Sequence, residues 1–185
     1  MEPRIIILNG NPDKPFEKLE SVLNEFSNEL KSSGANVAQI KLREKEISYC
    51  VGCWDCWWKT PGVCRHSDDM EEILKLVIHA DLVVFASPVS QGFYSALLKK
   101  CQDRLIPLVH PYIEIVNGEL HHKKRYPQYP ELAAIIEAND ASEEELKTIQ
   151  SIFKRLAINF KTQFRFFYTT DSINPKEMIH EISNL

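Results

Sequence analysis

Cys50, Cys53, Cys56 and Cys64 lie on one short stretch, Cys50-Val-Gly-Cys-Trp-Asp-Cys-Trp-Trp-Lys-Thr-Pro-Gly-Val-Cys64, spaced C-x2-C-x2-C-x7-C. Two successive x2 spacings put three thiols on one tight turn, close enough to share a metal centre. The fourth arrives from beyond the Pro61-Gly62 bend. Thiolates are soft ligands, so a sulfur-only set suits an iron–sulfur cluster or a tetrahedral zinc, and no hard cation. A plainer reading is a cysteine-rich turn whose thiols are buried or reactive. Disulfide pairing accounts poorly for the clustering. Trp54, Trp57 and Trp58 interleave the cysteines. They suit either a wall that keeps water from such a centre or ordinary packing and subunit contact. Cys101 stands apart among Leu97, Leu98 and Leu105 and reads as a small buried hydrophobe.

These residues need a scaffold, and the flanking sequence supplies an α/β one. Residues 4–8 (Arg-Ile-Ile-Ile-Leu) form a nearly unbroken apolar run ended by Asn9-Gly10-Asn11-Pro12, the pattern of a strand buried on both faces of a parallel sheet. From Phe16, apolar residues recur at Leu19, Val22, Leu23, Phe26 and Leu30 as a helical stripe, with Gly34 placed to end it. Residues 37–40 predict a second strand. Ser67-Asp68-Asp69 predicts a cap for a helix carrying Met70, Ile73, Leu74 and Val77. A third strand is expected over 82–86, stopped by Ser87-Pro88, then a helix over about 95–105 pinned by ion pairing at Asp103-Arg104. A fourth strand is expected over 132–136. Ser142 with Glu145 makes a capping box ahead of Leu146, Ile149, Phe153, Leu156 and Phe160. Residues 164–168 predict a fifth strand, and Pro175 can start a short terminal helix. Residues 112–122, with an Asn117-Gly118 turn, read as an inserted hairpin. Strands alternating with helices predict one doubly wound domain over 1–185, five parallel strands with helices on both faces. Ligands in such sheets sit beyond the carboxyl ends of the strands, where strand order reverses. The loops at 9–14 and 87–94 are therefore the expected site walls.

Composition narrows the partners. The chain has 185 residues, 44% hydrophobic and 26% charged, with 22 basic against 26 acidic side chains and a formal charge of −4. That balance argues against a nucleic-acid surface, which needs a basic face. No stretch approaches the ~20 apolar residues of a membrane span, and the apolar run at the N-terminus is too short for a signal peptide. The expected setting is cytoplasmic, where thiols stay reduced. No G-x-x-x-x-G-K-[ST] loop and no Ser–His–Asp constellation occurs.

Three stretches then carry a family resemblance. Asn9-Gly10-Asn11-Pro12 is similar to N-G-S-P-R, the cysteine stretch with Asp68-Asp69-Met70 to C-x-G-C-x-x-C…C…D-D-M, and residues 87–107 to S-P-V-Y…S…L-K…D-R. Together they resemble the NAD(P)H-dependent FMN reductase branch of the flavodoxin-like superfamily, and within it the iron–sulfur flavoproteins. The resemblance implies an oxidoreductase with FMN and a 4Fe-4S cluster on Cys50, Cys53, Cys56 and Cys64, with zinc as the alternative. It places Asn9, Asn11, Pro12 and Lys14 around the flavin phosphate, and Pro88, Val89, Ser90, Gln91 and Gly92 along the ring. It implies NAD(P)H, ferredoxin or a quinone as redox partner, and a homodimer or homotetramer. Asn11 stands where the family pattern has serine, and Asp13-Lys14-Pro15-Phe16-Glu17 brings two carboxylates and no hydroxyl to the phosphate loop. Two other classes stay open: a zinc-stabilised or cofactor-free interaction module, and a plain FMN or quinone reductase with structural cysteines.

Overall fold

Residues 2–12, 17–174, 178 and 182 are described by the computed structural model. The first apolar run is strand β1 (Arg4–Asn9). Its side chains alternate between two faces, and both faces are covered, so Ile5, Ile6, Ile7 and Leu8 are all buried. Helix α1 (Glu17–Ser32) follows, burying Leu19, Leu23, Phe26 and Leu30 as one stripe. It ends in a Schellman arrangement: Gly34, at φ 93°, donates to the Lys31 carbonyl and Ala35 to that of Leu30.

The chain continues through β2 (Asn36–Lys41), the cysteine loop with its short helix α2 (Asp55–Trp58), α3 (Met70–Ile78) and β3 (Leu82–Ser90). Next come β4 (Phe93–Tyr94), α4 (Ala96–Asp103) and the antiparallel pair β5 (Val109–Val116) and β6 (Glu119–Lys124). Strand β7 (Glu131–Glu137), α5 (Glu143–Phe160) and β8 (Phe164–Thr169) complete it. The main sheet runs β2-β1-β3-β7-β8, every pair parallel, with β4 adding a short antiparallel contact to β3. That is the strand order of a flavodoxin-like doubly wound sheet. One core layer joins Ile6, Leu8 and Val83 to α3, α4 and α5. The other joins Ile5, Ile7 and Val84 to α1.

One local expectation is corrected, and two others acquire named partners. Strand β3 does not stop at Ser87-Pro88 but runs to Ser90, with Pro88 opposite Glu137. Strand β1 has already ended opposite Ala86, so a missing N–H beyond that point breaks no bond to β1. Asp69, at the N-cap of α3, makes no side-chain cap bond; Asp68 accepts from the Met70 amide at 3.1 Å instead. Asp103 and Arg104 pin α4 differently from each other, Asp103 to Lys99 within the helix and Arg104 to Asp68 far along the chain. Ser142 and Glu145 form the reciprocal capping box of α5. Asn117 and Gly118, at φ 52° and 82°, make the tight β5–β6 turn. Pro175 lies outside the described residues, while Met178 and Ile182 pack in the α1 layer.

Candidate functional site

The cysteine loop is built from its backbone outward. Gly52, Trp54 and Gly62 all take positive φ, which curls the chain tightly enough to bring its sulfurs to one side. Helix α2 carries Cys56 inward, and the Gly62 amide donates to the Cys56 carbonyl at 2.9 Å, folding the Cys64 arm back over it. Trp54 stacks on Trp57 with ring centroids 4.7 Å apart. The Trp57 indole N–H donates to the Val109 carbonyl at 3.0 Å, tying the loop to the base of the β5–β6 hairpin.

Arg104 clamps the loop shut. It pairs with Asp68 through two N···O contacts of 2.9 Å, and its Nη1 also donates to the Ser48 carbonyl at 2.7 Å. Ser48 precedes the first cysteine and Asp68 follows the last, and the Ser48 amide donates to Asp68 at 2.9 Å. One buried guanidinium therefore holds both ends of the loop. Burial by itself would raise the Asp68 pKa, but Arg104 and the Ser48 amide hold the carboxyl well below the usual range.

Cys50, Cys53, Cys56 and Cys64 all line one cavity of about 50 Å³, together with Val51, Gly52, Trp54, His66, Arg104, Ile106 and Pro107. All four are free thiols, graded from exposed Cys50 to buried Cys56. Burial pushes the Cys56 thiol up to about 11, and the charges of Cys64, Cys50 and Cys53 add to the rise. Four thiolates in one pocket repel one another, and a shared cationic centre removes that cost. Cys101, buried on α4, contacts the Met70 sulfur at 3.8 Å and is pushed up to about 12 by burial, an inert packing thiol.

The expected flavin loops lie at the carboxyl ends of β1, β3 and β7. Pro88 and Val89 are buried, Ser90 and Gln91 are exposed, and Gly92 is half-buried. Gln91 and Gly92 both take positive φ, turning β3 into β4. A cleft of about 220 Å³ opens between Val89, Gln91 and Gly92 on one side and Ala138, Asn139, Asp140 and Ala141 on the other, floored by Glu145. Asn139 takes the left-handed conformation that asparagine tolerates, and its side-chain amide donates to the Val89 carbonyl at 3.3 Å.

The β1–α1 end is different. Asn9 and Asn11 are buried and both donate to the Glu20 carboxylate, at 2.9 and 3.1 Å, which also takes Arg43 at 2.6 Å. The Asn11 amide donates to the Asn9 side chain at 2.9 Å, and the Gly10 amide to the Ala86 carbonyl at 2.8 Å. The Leu19 amide, in the first turn of α1, donates to Glu137 at 2.9 Å, a carboxylate only 8% exposed. Burial opposes the ionisation of Glu20, yet Arg43 with Asn9 and Asn11 keeps its pKa below the ordinary value. Pro12 is exposed, and Lys14 lies outside the described residues.

A profile of the NADPH-dependent FMN reductase family matches residues 3–129. The chain belongs to that family. An iron–sulfur flavoprotein of Archaeoglobus fulgidus is 37% identical over 101 residues, 55% of this chain and 44% of the relative. One of Methanocaldococcus jannaschii is 36% identical over 105 residues, 57% and 53%. The chain thus spans about half the length of the curated relatives it matches. An FMN-dependent NADH-azoreductase of Bacillus anthracis, solved with FMN, superposes at a TM-score of 0.62 with 14% identity, over 98% of this chain and 94% of that one. At that identity it shows the shared fold alone.

The NADPH-dependent FMN reductase family implies a flavin, and its two ends fit this chain unequally. The cleft between the 89–92 and 138–141 loops offers a ring system rims of mixed polar and small residues over the Glu145 floor. The phosphate end offers committed donors: the Gly10, Asn11 and Leu19 amides and the Asn9 and Asn11 side chains are bonded inside the chain, two of them to Glu20 and one to Glu137. Arg104, Asp68, His66, Glu20 and Glu137 were not among the residues expected at the sites. Only Asp68 and Arg104 had a sequence signal, read as a cap and a helix pin.

Proposed function

We propose that this chain is a flavin-dependent oxidoreductase passing electrons between a reduced donor, NAD(P)H or a ferredoxin, and an acceptor such as a quinone. FMN and a 4Fe-4S cluster are its two redox groups. The observation that carries the reading is the convergence of four free cysteines on one cavity in a chain of the NADPH-dependent FMN reductase family. FMN supplies the means to take two electrons as hydride and give them up singly, which suits pairing with a one-electron cluster.

The chain's own residues supply position and exclusion. Pro88, Val89, Ser90, Gln91 and Gly92 form the strand end and turn against which the ring lies. Asn9, Asn11 and Pro12 flank the phosphate, with Glu20 and Glu137 making that end weak. Cys50, Cys53, Cys56 and Cys64 hold the cluster. Trp54, Val51, Ile106 and Pro107 keep water from it, while exposed Cys50 leaves one edge open to a partner.

A cluster is favoured over zinc by the relatives that the chain matches, which are named as iron–sulfur flavoproteins. Among the described residues no group of three or more His, Cys, Asp or Glu side chains is already placed to hold a metal ion. We place the protein in the cytoplasm as one flavodoxin-like unit bearing the 50–64 loop and the hairpin. No helix among the described residues is long and apolar enough to cross a membrane.

FMN added to the purified chain should give a visible flavin spectrum with altered ring fluorescence and raise the melting temperature. NAD(P)H or reduced ferredoxin should bleach the spectrum anaerobically. No binding, or no bleaching by either donor, would overturn the reading.

A further inference from the structure

Two buried nitrogen atoms of residues lining the cysteine cavity have no partner among the described residues. Arg104 is 1% exposed; its Nη1 and Nη2 are used by Asp68 and Ser48, but its buried Nε has no partner among the described residues. The buried Nε2 of His66 is likewise unpaired. Both residues line the cavity that the four sulfurs line. Buried donors without acceptors are rare because each forfeits its water without compensation, a cost of about 1–3 kcal/mol. Two such atoms at one cavity point to an acceptor that belongs there. The neighbouring Val51, Ile106 and Pro107 side chains carry no acceptor, which leaves the cysteine sulfurs as the side-chain acceptors lining the cavity. The raised Arg104 pKa has the same origin: burial opposes it, but Asp68 and then the Cys64 and Cys50 thiolates favour the charged guanidinium.

We propose that Arg104 Nε–H and His66 Nε2–H donate hydrogen bonds to sulfur atoms of the cluster held by Cys50, Cys53, Cys56 and Cys64, and thereby raise its reduction potential. The inference rests on the cluster reading above. Reduction adds one electron and hence negative charge at the sulfurs, so an N–H aimed at them stabilises the reduced state more than the oxidised one. No bond to hydrogen breaks: the protons stay on nitrogen, and the electron comes from the external reductant. In this arrangement Arg104 is a positioning residue twice over, closing the loop through its two terminal nitrogens and tuning the centre through the third. The proposal requires the His66 tautomer that carries its proton on Nε2.

The test is an anaerobic redox titration of the cluster-loaded 185-residue chain, followed by visible absorbance and electron paramagnetic resonance, with iron and sulfide assayed alongside. R104K keeps a cation able to pair with Asp68 but lacks Nε–H. H66L removes the second donor, and H66Q restores an N–H at that position. Each donor loss should lower the reduced-to-oxidised ratio at fixed potential about tenfold, about 59 mV for one electron, and H66Q should recover part of it. If R104K does not fold, the His66 pair decides. Full iron and sulfide with unchanged potentials in the variants would overturn the inference while leaving the cluster intact. A wild-type chain that takes up no iron and sulfide would overturn the cluster reading itself, and this inference with it.

Discussion

Glu137 ends an apolar strand, Ile135-Ile136-Glu137, and reaches the first turn of α1, the place where the partial positive charge of a helix N-terminus draws an anion. In a chain of the NADPH-dependent FMN reductase family that place would serve a phosphate. Here a carboxylate takes the Leu19 amide, and Glu20 takes Asn9, Asn11 and Arg43. An incoming phosphate dianion has to displace bonds already made and meets negative charge besides. Discrimination between FMN and riboflavin should therefore be weak in the natural chain. Replacing Glu137 by alanine frees the Leu19 amide and removes one charge. It should tighten FMN several-fold without tightening riboflavin, while costing about 1 kcal/mol of stability through the lost cap. Parallel calorimetric titrations with the two flavins check this; equal changes for both would mean that Glu137 does not face the phosphate.

The cysteine loop behaves as an element although it contains only one short helix, because the Asp68–Arg104 pair closes it at both ends. Asp68→Asn would leave a buried guanidinium without its counter-charge, and a broken buried pair costs about 3–5 kcal/mol. Urea denaturation should show that loss. The pH dependence follows from the direction of the shift. Asp68 has a lower pKa folded than unfolded, so its contribution is fully present above the unfolded value of about 3.9. It fades as pH falls below that value toward the folded one. The stability gap between the natural chain and Asp68→Asn should accordingly stay wide at neutral pH and narrow in acid below about pH 4; a gap independent of pH would contradict the pairing. Much of the scaffold around the loop was legible in the sequence, since period-two and period-3.6 apolar patterns, the Ser142 capping box and the Asn117-Gly118 turn are local signals. Helix α1 and strand β1 are cases where every residue's neighbour is set by its own spacing. The clamp was not legible, because Arg104 meets Ser48 and Asp68 only after the sheet has brought α4 beside the loop. Pro88 misled for the same reason: whether a proline ends a strand depends on where the neighbouring strand ends. The four cysteines were legible as a set, whereas Glu20 and Glu137 carried no sequence signal of their place, which depends on the fold turning them toward the β1–α1 loop.

Taken whole, the molecule exposes apolar surface where its proposed redox chemistry lies. Tyr49, Val51, Trp54, Trp58 and Val63 stand out from the cysteine loop, and Tyr112, Ile113, Ile115 and Leu120 from the hairpin. Trp57 ties the loop to the hairpin base through Val109, and its ring contacts His122 on β6. Apolar surface of this extent usually marks an interface, and a second copy of the chain is the partner proposed here. Light scattering at micromolar concentration should give the mass of a dimer or tetramer, reduced toward the monomer by charged substitutions at Trp58 and Ile115; a monomer in the natural chain would refute that assembly. The four cysteines remain the centre of the account. The most direct measurement is iron and acid-labile sulfide, with the visible spectrum, in anaerobically prepared chain beside its five single cysteine-to-serine variants. The account predicts iron and sulfide in the natural chain and in Cys101→Ser, and their loss or decay when Cys50, Cys53, Cys56 or Cys64 is replaced, because one missing thiolate opens the centre to water and oxygen. Zinc in place of iron, or equal and negligible effects of all five replacements on metal content, would contradict it.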